Sequence, residues 1–331
     1  METYSAVDGI LLGDLRKAGH RRIALQVPAG LLPSASALAR RIEEATGATV
    51  VIPTRACFGA CDPPGPEESL GSDAIVTLGH APIPNMRRPM KEYFVEMRSP
   101  EPDLEPLIER VLKADLPHRL GLVASVQHLS LLGPFSRELA RHGFTTEVGT
   151  GGRRLAYPGQ ALGCNYTSAT SIEKEVGGFL FIGSGRFHPL GLALSVEKPV
   201  WSLDPLGGAL EGPYHREKML SRRLLLIESA MDAKRWGVLV SAFPGQSRVP
   251  LAQRLVAKAL KHGKDAVVLT FDRLDARDLL GRGLEAYVMT ACPRIALDDA
   301  SQYDRPMLTP PEFLSAIGDR PLLPYRFDTF V

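Results

Sequence analysis

The sequence predicts an α/β protein made of three successive, pseudo-repeated α/β units with mainly parallel sheets. Short apolar, β-branched runs alternate with helical stretches along the chain. That alternation favours parallel sheets flanked by helices, because two parallel strands need a crossover between them. It recurs about three times at a spacing of roughly 110 residues, an ordinary domain size. At 331 residues the chain also exceeds the length at which one hydrophobic core keeps growing. No sequence identity between the units is evident.

The first unit, 1–100, reads as strand 22–27 (RIALQV), helix 34–45, strand 48–52 and strand 74–78, with Pro and Gly punctuating the joins. The second, 101–210, opens with helix 104–114, continues through strand 120–126, helix 131–142, strand 179–182 and helix 190–196, and closes on strand 200–203. The third, 211–331, reads as helix 218–231, strand 236–241, helix 251–262 and strands 266–270 and 286–290. Polar, proline-bearing stretches at 98–104 and 204–213 mark the boundaries.

With 44% hydrophobic and 23% charged residues of mixed sign, the chain has the composition of an ordinary globular protein. A net charge of +2 does not suggest direct nucleic-acid binding. The pairs Arg21–Arg22, Arg87–Arg88, Arg153–Arg154 and Arg222–Arg223 are expected to be mostly solvated surface. The opening METYSAVDGILLGDLRKAGH has no basic n-region and no apolar run of leader length. Nowhere do ~18 uncharged apolar residues follow one another, so no membrane association is expected and the protein is read as cytoplasmic. Four cysteines, Cys57, Cys61, Cys164 and Cys292, are too few and too dispersed for a disulfide framework. Reduced thiols leave packing, catalysis or metal binding.

In parallel sheets, chemistry gathers in loops beyond the carboxyl ends of strands. Cys57 follows strand 48–52, Cys292 comes directly after strand 286–290, and Cys164 lies in the glycine-bearing stretch YPGQALGCNYTSA, so each unit supplies one cysteine from a loop. Cys57 and Cys61 form a C-x3-C pair, but the third cysteine of the common radical-enzyme pattern is absent, and Pro64 stands there. Thiolates from separate units can still hold an iron-sulfur cluster, because ligation needs soft sulfur and geometry and does not need proximity in sequence. Three ligands leave one iron open to a substrate. Taken singly, each cysteine also reads as a small buried hydrophobe.

The segments QVPAGLL, CFGACD, LGHAPIP, GQALGCNY, FIGSGRFHPLG and TACPRIALDDASQYDRPMLTPPEF resemble, in the same order and over nearly the whole chain, the archaeal 2-(3-amino-3-carboxypropyl)histidine synthase family of diphthamide biosynthesis. The resemblance implies a homodimer in which each subunit holds a 4Fe-4S cluster at a central site through one cysteine per unit, carried onto Cys57, Cys164 and Cys292, with Cys61 left over. It implies a transferase acting by a noncanonical radical route. S-adenosylmethionine is cleaved between sulfur and the methionine γ-carbon, giving methylthioadenosine and a 3-amino-3-carboxypropyl radical that adds to an imidazole carbon of a histidine on elongation factor 2. An electron donor is implied as a further partner.

No acid or base is singled out, since the chemistry belongs to the cluster and the protein aims the sulfonium at it. The turn Gly183-Ser184-Gly185-Arg186 offers amide donors and a guanidinium suited to a carboxylate. Gln246, in Pro244-Gly245-Gln246-Ser247, is a plausible donor to polar groups of the cofactor. Arg294 beside Cys292 suits a substrate anchor, and Asp298 or Asp299 suits the α-amine or a ribose hydroxyl. His80 and His188 read as structural, having no histidine partner at metal-site spacing. There is no P-loop and no H-E-x-x-H, and Gly281–Ala286 fits a dinucleotide fingerprint only by letters, since it precedes a strand. Three rivals remain. They are an enzyme of the quinolinate synthase type, a noncatalytic cluster-bearing subunit, and a structural zinc protein.

Overall fold

The computed structural model describes residues 9–331; residues 1–8, part of the opening stretch read as lacking a leader, lie outside them. The chain divides into two compact units, one running to Pro100 and taking in Phe243–Gly245, the other holding Glu101–Ala242 and Gln246–Val331. Among the described residues no helix is long and apolar enough to cross a membrane.

The first compact unit contains α1 (Gly9–Ala18), β1 (Arg22–Gln26), α2 (Leu32–Thr46), β2 (Thr49–Val51), α3 (Pro66–Ser69), β3 (Ala74–Leu78) and β4 (Lys91–Val95). The strands pair in the order β2-β1-β3-β4, all parallel. β1 and β3 lie centrally and are buried almost throughout, which is why they read as continuous apolar runs without alternation. Ala35, Leu38, Ala39 and Ile42 of α2 recur at helical spacing and close over Ile23, Leu25, Val76 and Leu78. Gly47 ends this helix at φ 75°, a left-handed cap that glycine adopts without steric penalty.

The second compact unit contains two sheets. The first is built from α4 (Glu105–Lys113), β5 (Arg119–Ala124), α5 (Leu132–Arg141), β6 (Thr145–Glu147), α6 (Thr167–Thr170), β7 (Gly178–Ile182), α7 (Phe187–Ser195), β8 (Val200–Leu203) and β9 (Leu210–Glu211). The other comprises α8 (Arg216–Ala230), β10 (Arg235–Ser241), α9 (Val249–Lys261), β11 (Asp265–Phe271), β12 (Ala286–Met289), α10 (Pro293–Asp298), β13 (Met307–Leu308) and α11 (Pro310–Ala316). Each sheet has a hydrophobic cluster on either face, as a sheet with helices on both sides requires.

The pseudo-repeat expected from the sequence is visible in the topology. The strand orders β2-β1-β3-β4, β6-β5-β7-β8-β9 and β11-β10-β12-β13 share one pattern, in which the chain leaves its first strand to one side, then returns to the other. All pairs are parallel except β8 with β9. That exception corrects the reading of 204–213 as a plain boundary, because Asp204 turns the chain back through Gly208 and Leu210–Glu211 adds an antiparallel strand to the sheet. The recurring order also gives each sheet a switch point, where strands depart in opposite directions and a crevice opens beyond the carboxyl ends.

Candidate functional site

All three predicted ligand cysteines lie at these switch points. Cys57 donates its backbone N–H to Val27 O at 3.0 Å and bridges Pro28, so it sits just beyond β1 even though it follows β2 in sequence. Gln160, at the head of the Cys164 loop, bridges Ala124 at the end of β5. Cys292 follows β12 and caps the start of α10. The third cysteine thus emerges from a different strand of the repeat than the other two.

In the first compact unit the Cys57 loop is folded around one buried carboxylate. Asp62 accepts hydrogen bonds from the backbone N–H groups of Phe58 and Gly59, both at 3.0 Å, and from Arg55 at 2.6 Å. Arg55 also donates to both oxygens of Glu68 and stacks over Phe243. Gln26 donates to the Asp62 carbonyl at 2.8 Å, which fastens the far end of the loop to β1. The Pro244-Gly245 turn closes on the same loop; a β-carbon at Gly245 would stand 2.4 Å from the Cys61 carbonyl, so only glycine fits. Burial, and next the Asp62 charge, push the Cys57 thiol up to about 12, with Arg55 opposing. His80 Nδ1 lies 4.0 Å from Cys57 Sγ but is 3.0 Å from the Leu78 carbonyl, the partner that a structural histidine would have.

In the second compact unit Cys164 occupies the tip of a two-residue turn closed by reciprocal hydrogen bonds between Leu162 and Asn165. Gly163 is required there, since a β-carbon would press to 2.4 Å on the Phe187 ring. That ring lies under the Arg294 guanidinium at 4.2 Å, and Arg294 Nε donates to Asp298 at 2.7 Å. Tyr166 is buried, and its hydroxyl has no hydrogen-bond partner among the described residues. Burial pushes this phenol up; Arg294 opposes the shift, and Cys164, Asp298 and Cys292 add to it. One buried, unsatisfied hydroxyl therefore feels two of the predicted ligands and two of the predicted cofactor contacts. Burial raises the Cys164 thiol against the pull of Arg154 and Arg248, and Arg154 hydrogen-bonds to it.

Three of the other predicted contacts already have side-chain partners, Ser184, Arg186 and Asp299. Ser184 donates to Asp204 at 2.8 Å, and Arg186 makes a two-pronged pair with Glu211 at 2.7 and 3.1 Å, both at the exposed β8–β9 side. Gly185 holds φ 76°, so its backbone role stands apart from its neighbours' side chains. Gln246 is buried, and Asp299 accepts from Gln302 at 3.2 Å. Two arginines expected on the surface are instead buried, Arg154 beside Cys164 and Arg223 against Glu312. The sequence reading missed Tyr166, Arg154, Arg248 and Phe330. Tyr166 lies inside the GQALGCNY motif without having been given a role, and for Arg154 the doubled arginine pointed outward.

The donor set suits an iron-sulfur group. A cubane held by three thiolates is a soft-ligand, net anionic group. Its charge would be balanced by the guanidiniums of Arg154, Arg248 and Arg294, and the orphaned Tyr166 hydroxyl would gain an acceptor. A nearby metal reverses the effect of burial by deprotonating its thiols. Among the described residues no three His, Cys, Asp or Glu side chains meet closely enough to hold a metal ion.

Comparison with known proteins places the chain. It is 37% identical over 322 residues to 2-(3-amino-3-carboxypropyl)histidine synthase of Pyrococcus horikoshii, covering 96% of this chain and 91% of that one. It is 27% identical over 315 residues to subunit 1 of the synthase of the same name from Mus musculus, covering 92% of this chain and 70% of the relative. The crystal structure of Dph2 from Pyrococcus horikoshii with 4Fe-4S cluster superposes with a TM-score of 0.87 at 36% identity, over 97% of this chain and 93% of that one. A family model described as "Putative diphthamide synthesis protein" matches residues 27–324. The chain belongs to the diphthamide synthesis protein family.

Proposed function

We propose that this chain is the transferase that opens diphthamide synthesis, moving a 3-amino-3-carboxypropyl group from S-adenosylmethionine to a histidine of elongation factor 2. The observation that carries the reading is the buried Tyr166 hydroxyl, which has no hydrogen-bond partner among the described residues and feels the charges of Arg294, Cys164 and Cys292. A core tyrosine has no reason to leave its hydroxyl unsatisfied unless a further group belongs beside it. Cys57, Cys164 and Cys292, one from each of the units 1–100, 101–210 and 211–331, are the ligands of a 4Fe-4S cluster. When bound, that cluster supplies the electron that breaks the bond between sulfur and the γ-carbon.

The chain's own residues bind and aim. Arg294, stacked on Phe187 and braced by Asp298, presents a fixed guanidinium for the amino-acid carboxylate. Asp298 and Asp299 are placed to receive the α-ammonium or a ribose hydroxyl, and Gln246 and the amides of Gly183 to Arg186 to receive the remaining polar groups. The protein works in the cytoplasm as a homodimer served by a separate electron donor.

The test is anaerobic reconstitution with iron and sulfide, reduction, and incubation with S-adenosylmethionine and elongation factor 2. Methylthioadenosine and a 3-amino-3-carboxypropyl adduct on the histidine are expected. Reduced, loaded protein that leaves S-adenosylmethionine intact would refute the reading. Alanine at Cys57, Cys164 or Cys292 should abolish the reduced-cluster spin signal, while alanine at Cys61 should leave it.

A further inference from the structure

Resting on that reading, we propose that Phe330 is a positioning residue: its ring and backbone hold the Cys164 turn and the Cys292 loop in register for cluster binding. Residues 325–331 form no helix or strand. Yet Phe330 and Asp328 are buried, and Phe330 belongs to none of the hydrophobic clusters formed by the described residues.

Two guanidiniums hold it. Arg154 and Arg248 each lie over the Phe330 ring at 4.2 Å from its centroid. Both cations bear on one aromatic ring, contacts favoured by the ring quadrupole. Arg154 hydrogen-bonds to the Cys164 side chain. Arg248 reaches the other cysteine loop, donating from Nε to Thr290 O at 2.5 Å and from Nη2 to Ala291 O at 3.3 Å, the two residues just before Cys292. Asp328 locks Arg248 in that pose with bonds of 3.0 and 2.5 Å.

The backbone of Phe330 completes the clamp. Its N–H donates to Cys164 O at 2.9 Å, and its carbonyl accepts from Asn165 Nδ2 at 2.7 Å. One residue thus touches the Cys164 turn through its main chain and orders, through its ring, one cation on the Cys164 side chain and another on the approach to Cys292. Residues that orient metal ligands in this way govern how tightly the metal is held.

The experiment compares anaerobically reconstituted full-length protein with the variants Phe330→Leu and Phe330→Tyr. Leu255→Ala serves as a control, a core truncation in α9 among the residues packed on β10. The readouts are iron and sulfide per chain, the rate of iron loss to a chelator, the spin-resonance spectrum of the reduced cluster, and the thermal midpoint of the metal-free protein. Leucine fills space but offers no π face. Phe330→Leu should lose iron about 10-fold faster and change the spectrum, and Phe330→Tyr should restore both. Leu255→Ala should lower the thermal midpoint and leave iron loss at the wild-type rate. An unchanged rate and spectrum in Phe330→Leu would overturn the inference, as would equal iron loss in the leucine variant and the core control. Wild-type protein that takes up no cluster would overturn the functional reading and this inference together, whereas loaded wild type with an indifferent leucine variant overturns this inference alone.

Discussion

The bare Cα of Gly191 faces the hydroxyl of Tyr166 so closely that a β-carbon there would stand 2.1 Å from the phenol oxygen, and 2.5 Å from Arg294 Nη1. Glycine inside α7 is therefore a packing requirement. A Gly→Ala change in a helix interior ordinarily stabilises by about 0.5–1 kcal/mol. Gly191→Ala should do the reverse, because overpacking a closed site typically costs about 1–3 kcal/mol. Denaturant titration checks it; a midpoint at or above wild type would contradict the packing.

Tyr166→Phe removes one atom that has no hydrogen-bond partner among the described residues. Deleting a buried unsatisfied hydroxyl is near neutral or stabilising, so the metal-free variant should melt at or slightly above the wild-type temperature. The loaded variant should differ in reduction potential, because hydrogen bonds to the sulfurs help set it. Identical potentials would show that the hydroxyl does not address the cluster.

Arg223 is clamped to both oxygens of Glu312 at 2.8 and 2.6 Å and also donates to the carbonyls of Ala296 and Met307, joining α8 to α10, β13 and α11. Removing one partner of a buried pair strands a charge and costs about 3–5 kcal/mol. Arg223→Met and Glu312→Leu should each destabilise on that scale. The double variant should lose clearly less than their sum, since neither charge is then left alone. Additive losses in chemical denaturation would show that the two residues are not coupled.

His128 is buried, and its Nδ1 has no hydrogen-bond partner among the described residues; burial lowers its pKa, with Asp204 opposing. The unfolded chain then takes up the proton first as pH falls below about 6.5. Stability from this residue is fully present above the unfolded pKa and is lost as pH drops toward the folded one, with a slope of up to about 1.4 kcal/mol per pH unit. His128→Gln should flatten the acid limb of the stability profile below about pH 6.5. Parallel limbs for the two proteins would refute the assignment.

The central strands were the most legible part of the fold. Strands expected at 74–78 and 200–203 lie residue for residue at Ala74–Leu78 and Val200–Leu203, because strands buried on both faces carry their own unbroken apolar signature. The edge strand β4 was missed, since the charged Lys91 and Glu92 and the half-buried Tyr93 dilute the apolar pattern. β13 is two residues long, and α10 starts on Pro293 with a single turn and a half, both too short for periodicity to register.

Local composition therefore settled the class of the fold, the number of sheets and the presence of at least one loop cysteine in each third of the chain, because strand, helix and turn preferences act over a few neighbouring residues. Which side chains serve those cysteines was beyond its reach. Phe330 meets Cys164 from 166 positions away, and Arg248 meets the residues before Cys292 across more than forty, as the hydrogen bonds show. Such meetings depend on where crossovers return the chain and on which rotamers the packing permits, and neither leaves a periodic trace. An arginine buried against an aromatic ring has the same letters around it as an arginine in water.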